Sequence, residues 1–139
     1  MRRRSVVTSF LDFDDKILLL RRSDRVRSYP GRWAGVSGSI EEGRTPEQQA
    51  RIEIQEETGL TDDDLTLVAT GAPLAVDDAS GGDQWLVHPF RFVVLHPARI
   101  HLDWEHVEQR WIDPAELAGF ASVPNLAETW ARVAPARDE

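Results

Sequence analysis

Three glutamates, Glu53, Glu56 and Glu57, stand three and four residues apart inside the stretch 38–60, GSIEEGRTPEQQARIEIQEETGL. No other segment constrains the chain as strongly. Thr45 predicts an N-cap, Pro46 suits the first helical position, and Gln48 completes a T-x-x-Q capping box. Gly59 is placed to end the helix in the left-handed conformation. A helix between these signals puts the three carboxylates on one face. Charges gathered in this way repel, and a bound cation or nearby arginines would offset the repulsion. An all-oxygen ligand set suits Mg²⁺ or Mn²⁺ rather than zinc. The same spacing also describes a solvated acidic face, and spacing alone leaves both readings open.

The chain that must hold this loop and helix has 139 residues, enough for one domain and too few for two ordinary ones. We take residues 1–133 as that domain and 134–139 as a frayed tail. A formal charge of −8 argues against nonspecific binding to nucleic acid. An acidic chain can still take a polyanionic small molecule when a divalent metal bridges the two. No cysteine is present, which excludes thiolate chemistry and permits a reducing cytosol, the expected compartment. The apolar run after MRRRS is too short for a signal sequence, and nothing approaches the length of a membrane span.

Local patterns predict the remaining elements. Residues 5–13 and 16–22 read as strands joined by the Asp14–Asp15 turn into a hairpin. KILLLRR, the second of them, is continuously apolar before its arginines, as a buried strand is. Residues 28–36 hold a Pro-Gly turn and a short apolar segment. Residues 65–76 read as a strand or bent pair, and 77–83, DDASGGD, as a loop that is either a lid or a hairpin connection. A long strand at 85–95 contains Pro89, which suggests an edge or a bulge. A short strand follows at 108–112, then a short helix capped by Asp113 and a closing amphipathic helix at 125–133. The order β, β, β, α, β, β, β, α, α fits an α+β fold, a mixed sheet sandwiched by helices.

The acidic stretch resembles the signature of the Nudix hydrolases, G-x5-E-x7-R-E-U-x-E-E-x-G-U with U aliphatic. Gly38, Glu53, Ile54, Glu56, Glu57, Gly59 and Leu60 match in register. Arg44 stands where the pattern has Glu, and Ile52 where it has Arg. The later stretch WEHVEQRWIDPAEL also looks like the family's strand-helix element, with Glu105 six residues before Trp111.

The resemblance implies the α/β/α sandwich of the Nudix fold and hydrolysis of a nucleoside diphosphate linked to another group. Glu53 and Glu57 would hold Mg²⁺ or Mn²⁺, and Glu56 would hold metal or take the proton of the attacking water. The Ser37 carbonyl would complete the shell, and Glu105 is the alternative base. Arg21, Arg22, Arg27 and Arg32 are candidates for gripping phosphate oxygens, against a solvated basic loop. Trp33 is a packing residue or a base-stacking one. An arginine at position 52 would pair with the carboxylates, so Arg44 is expected to supply that cation from the loop. A nucleotide-binding module that has lost catalysis is the alternative reading. His88, His96, His101 and His106 are too irregularly spaced for zinc and are expected at the surface or as caps. The partner is a small nucleotide, with a homodimer allowed.

Overall fold

The computed structural model describes residues 2–77 and 82–136. In chain order the strands are β1 (Arg2–Phe13), β2 (Lys16–Arg22), β3 (Trp33–Ala34), β4 (Val36–Ser39), β5 (Leu65–Thr70), β6 (Leu74–Asp77), β7 (Asp83–Val94) and β8 (His106–Ile112). Two α-helices, α1 (Pro46–Thr58) and α2 (Leu126–Ala131), lie against them.

Alternation along β1 and β2 decides the layering. Val7, Leu11, Leu18 and Leu20 face the layer holding Ala50 and Ile54 of α1. Phe10, Ile17 and Leu19 face the opposite layer, with Leu126 of α2 and Val133 just beyond it. Both faces of β2 are therefore covered, which is why its apolar run needs no polar interruption. Burying each such side chain is worth about 1.5–3 kcal/mol of transfer free energy. Phe10 and Trp130 meet edge to face at 5.2 Å, fastening α2 to the sheet.

The hairpin forms with Asp12 opposite Ile17 and Phe13 opposite Lys16. Asp14 and Asp15 sit at φ 55° and 61°, the left-handed backbone that a two-residue primed turn demands. On its other side β1 runs parallel to β7, from Arg2 opposite Asp83 to Asp12 opposite Val93. The sheet is mixed and eight-stranded, with β5 and β6 antiparallel to β7, and β8 and β3 antiparallel to β2.

The stretch 65–76 is a pair of strands, β5 and β6, in line with the expected bent pair. Other elements take a different form, and the segment after the Pro-Gly turn yields a second short strand, β4, that pairs with β1. Pro89 sits neither at an edge nor in a bulge, because β7 lies inside the sheet between β1 and the β5–β6 pair. It falls at the gap where β5 hands over to β6, where its carbonyl accepts from the Gly71 N–H at 3.0 Å. No strand residue needs its missing N–H there. The helix expected after Asp113 is a 3₁₀ segment over Pro114–Gly119, capped by Asp113 as the sequence predicts. Most of the proposed lid at 77–83, namely residues 78–81, lies outside the described residues, as do 137–139 of the tail.

Candidate active site

The helix α1 starts and stops where its sequence dictates. The Thr45 side chain accepts from the Gln48 N–H at 3.1 Å, and the Gln48 carboxamide accepts from the Thr45 N–H at 2.9 Å. Gly59 closes the helix at φ 79°, its N–H donating to the Gln55 carbonyl. Between the caps, α1 buries Gln49, Ala50, Ile54, Glu57 and Thr58. Gln49 and Glu57 are polar side chains long enough to reach the loop in front of the helix.

That loop is β4 and its continuation. A Cβ on Gly38 would overlap the Glu53 carboxyl as it is placed, so the lack of a side chain at 38 leaves that carboxyl its position beside β4. Ser37 and Gly38 line one side of a cleft of about 260 Å³. Arg22, Tyr29 and Glu105 form other parts of its rim, while Val6, Val87 and Trp85 give it an apolar floor.

Behind Gly38 the carboxylates gather. Burial is the largest cause holding the Glu57 carboxyl well above its ordinary value, followed by repulsion from Glu53, Glu105 and Asp103. Glu53 is raised for the same first reason, with Glu56 and Glu105 adding repulsion and a hydrogen bond from Gln49 opposing it. Glu57 Oε2 is buried with no hydrogen-bond partner. Glu56, on the rim of the same face, is exposed.

No arginine or lysine among the described residues forms an ion pair with Glu53, Glu56 or Glu57. Arg44 therefore does not act as expected. Its Nη1 is 3.2 Å from Glu41 Oε2 and 3.2 Å from Gln49 Oε1, turned to the loop rather than to the carboxylates. Arg51 is engaged on the far side of the helix with Glu47 and Asp62, each at 3.2 Å, as a rotation of about 100° from position 52 dictates.

The basic cluster separates. Arg22 reaches the cleft, its guanidinium held by the Ser28 carbonyl at 2.9 Å and the Ser28 hydroxyl at 3.2 Å. Arg21 is exposed and lies 3.7 Å from Glu108. Arg27 is exposed, and Arg32 borders a second hollow beside Phe120 and Glu128. Trp33 packs edge to face on Phe120 at 5.5 Å, with Arg110 over its ring, and is not part of the cleft wall. Packing, not base stacking, accounts for its burial.

Two polar residues of the site are missing from the sequence-based candidates. His106, expected at the surface or as a cap, is only 5 % exposed. Its Nδ1 is 3.1 Å from Asp103 Oδ1 and its Nε2 is 3.5 Å from Glu57 Oε1. Burial lowers its pKa against the pull of Asp103. The other is Gln49, one turn before Glu53. Its i,i+4 spacing to a site glutamate is the signal that could find it, as adjacency to Glu105 is for His106.

Among the described residues, no three His, Asp or Glu side chains form a ready-made metal cage. The donor set nevertheless fits a hard dication. The buried Glu57, with an unpartnered oxygen, lies beside the half-buried Glu53, and among the described residues no arginine or lysine neutralises either.

A family model described as the NUDIX domain matches residues 1–134. The chain belongs to the NUDIX family, and hence to a class of hydrolases acting on phosphoric anhydrides. Solved structures share the fold. The MutT protein from Methanosarcina mazei Go1 is 21 % identical, with 94 % of this chain and 92 % of that one covered at a TM-score of 0.79. The E. coli dihydroneopterin triphosphate pyrophosphohydrolase is 22 % identical, with 98 % and 100 % covered at 0.78. A Nudix hydrolase from M. smegmatis is 22 % identical, with 99 % and 90 % covered at 0.74. No helix among the described residues is long and apolar enough to cross a membrane.

Proposed function

We propose that this protein cleaves the diphosphate linkage of a nucleoside diphosphate joined to another group, using Mg²⁺ or Mn²⁺. The observation that carries this reading is the buried Glu57 carboxyl beside the half-buried Glu53, with no arginine or lysine paired to either among the described residues and Glu57 Oε2 lacking a hydrogen-bond partner. A carboxyl kept from water beside a second one, with no arginine or lysine paired to either, costs stability, so a fold that retains it has a use for a cation there.

Glu53 and Glu57 would hold the metal with the Ser37 carbonyl, and Glu56 stands near enough to contribute. When bound, the ion neutralises the diphosphate oxygens and lowers the pKa of water. The chain's own residues do the rest. Arg22, fixed by Ser28 and free of any carboxylate partner among the described residues, is oriented to take phosphate oxygens. The apolar floor of Val6, Val87 and Trp85 accepts the organic moiety of the substrate.

Water attacks one phosphorus, and its oxygen forms the new P–O bond. The bridging P–O bond breaks with its electron pair leaving on the departing phosphate. The water's proton passes to a carboxylate. Glu105 is the better candidate for this, since it lines the cleft while Glu56 does not. Its backbone is held by the Ser23 N–H donating to its carbonyl at 2.7 Å and by its own N–H donating to Asp103 at 3.2 Å.

The experiment is a phosphate-release screen across nucleotide classes with each metal, alongside Glu57→Gln. Turnover that the substitution abolishes supports the hydrolase. Ile52 keeps one other reading in view, a module that binds nucleotide without turnover. It would show binding of a diphosphate in calorimetry with no product under any metal. The reading also includes a cytoplasmic setting and allows a homodimer, which light scattering would reveal.

A further inference from the structure

Ile52 leaves the helix without the arginine that the family pattern places one turn before Glu56 to pair with the carboxylates, and Arg44 does not pair with them directly. The structure holds Glu53 in another way. Gln49 is 1 % exposed and donates from Nε2 to Glu53 Oε1 at 3.0 Å. Its Oε1 accepts from the Glu41 N–H at 3.1 Å and from Arg44 Nη1 at 3.2 Å.

These contacts fix which way the carboxamide faces. Turned over, its NH₂ would meet two donors and its oxygen would meet a carboxylate. Only one orientation satisfies all three neighbours. The loop therefore sets the amide, and the amide sets the carboxylate.

We infer that Gln49 is the positioning residue for Glu53, itself held by Arg44, and that this relay replaces the arginine missing at position 52. Arg44 acts on the site through Gln49 and not by direct pairing. A neutral donor orients Glu53 without neutralising it, so the charge of that carboxylate is left for a dication. The inference rests on the proposal that Glu53 binds divalent metal.

The test measures Mn²⁺ affinity by electron paramagnetic resonance of the free ion in wild type, Gln49→Leu, Arg44→Met and the double variant. Melting curves confirm that each is folded. Removing an outer hydrogen-bond partner of a metal ligand costs about 10–100-fold in affinity. We expect a loss of about tenfold or more for Gln49→Leu and a smaller one for Arg44→Met. The double variant should bind no worse than Gln49→Leu alone, because one route is being cut twice. Adding Ile52→Arg to Gln49→Leu should restore some of the affinity. Wild-type affinity in Gln49→Leu, or losses that add in the double variant, would overturn the relay.

A second readout needs no metal. The side-chain NH₂ protons of Gln49 in nuclear magnetic resonance should exchange slowly with solvent and shift in Arg44→Met. Should wild type bind no Mn²⁺ at all, the metal reading fails, and these protons still decide the relay. Free-glutamine exchange, indifferent to Arg44, overturns it.

Discussion

His106 Nε2 lies 3.5 Å from Glu57 Oε1, and both side chains are buried. The histidine is tied on its other nitrogen to Asp103 at 3.1 Å. If the Asp103 carboxylate accepts Nδ1–H, the Nε2 facing Glu57 is a bare acceptor. A Glu57 carboxyl that keeps its proton can donate to it. Burial favours the neutral form of both groups, raising the pKa of Glu57 and lowering that of His106. Burial and these neighbours thus favour a protonated Glu57 facing a neutral His106.

Glu57→Gln tests this through stability. A carboxyl whose folded pKa is raised above its ordinary 4.5 contributes most below the unfolded value, and that contribution is lost as pH rises through the folded pKa. Glu53, Glu105, Asp103 and His106 face it, and the three carboxylates all push in the same direction. The metal-free variant should therefore melt higher than wild type in calorimetric scans, by a margin that widens from about pH 5 toward about pH 8. Mn²⁺ should raise the melting temperature of wild type and leave the variant nearly unchanged. Equal melting at every pH would contradict the buried-proton account.

Gly38→Ala probes the close approach of β4 to the helix. The added methyl would meet Glu53 Cδ at 2.1 Å, and the backbone of β4 is paired to β1 at Val7 and cannot simply withdraw. We expect a loss of about 1–3 kcal/mol in urea unfolding, the usual range for overpacking. Metal affinity should fall as well, because Glu53 must turn away from Gln49. A variant with native stability and native Mn²⁺ binding would show that the loop has room to spare.

Asp64, outside the cleft lining, makes a second pH-dependent contribution to stability. Its pKa is lowered from an ordinary 3.8 to about 2 by the Thr61 N–H first and by Arg99 and His96 further down. A depressed carboxyl contributes stability above its unfolded pKa and loses it as pH falls through the folded one. Asp64→Asn should be less stable than wild type at neutral pH, and the gap should close between about pH 4 and about pH 2. Acid titration followed by circular dichroism checks this, and a gap that persists at the acid end refutes the assignment.

The features of this architecture that are legible in the sequence are those fixed by local rules. Thr45, Gln48 and Gly59 bound α1 because caps act over a single turn, and the Asp14–Asp15 turn needs only its own backbone angles. Sandwich layering is readable because β2 is apolar on both faces. The extra short strand β4, VSGS, carries too little periodicity to be seen. Pro89 gives a false signal because its tolerance depends on the gap between β5 and β6, a tertiary fact. Arg44 sits in the expected loop and meets a partner other than the expected one. Where the guanidinium goes depends on how the loop folds over Gln49, and no spacing rule encodes that. The burial of His106 is hidden for a similar reason, since it is set at the irregular end of the β2–β8 ladder beside Arg22.

The choice between Glu105 and Glu56 as proton acceptor can be made with paired substitutions. Glu105 lines the cleft, whereas Glu56 is exposed on the outer edge of the carboxylate face. General base catalysis contributes about 10²–10⁴-fold, so Glu105→Gln should lower kcat by that order with little change in KM for nucleotide. Mn²⁺ affinity should rise slightly or hold, because Glu105 only repels Glu53 and Glu57 across the cleft. Glu56→Gln should give the reverse pattern, a higher metal requirement with kcat largely recovered at saturating metal. Added strong base offers a further check. If Glu105 takes the proton, raising pH should partly restore the Glu105→Gln rate as hydroxide replaces the assisted water, and should do so less in Glu56→Gln. A Glu105→Gln enzyme with wild-type kcat, beside a Glu56→Gln enzyme that stays slow at saturating Mn²⁺, would move the base to the helix.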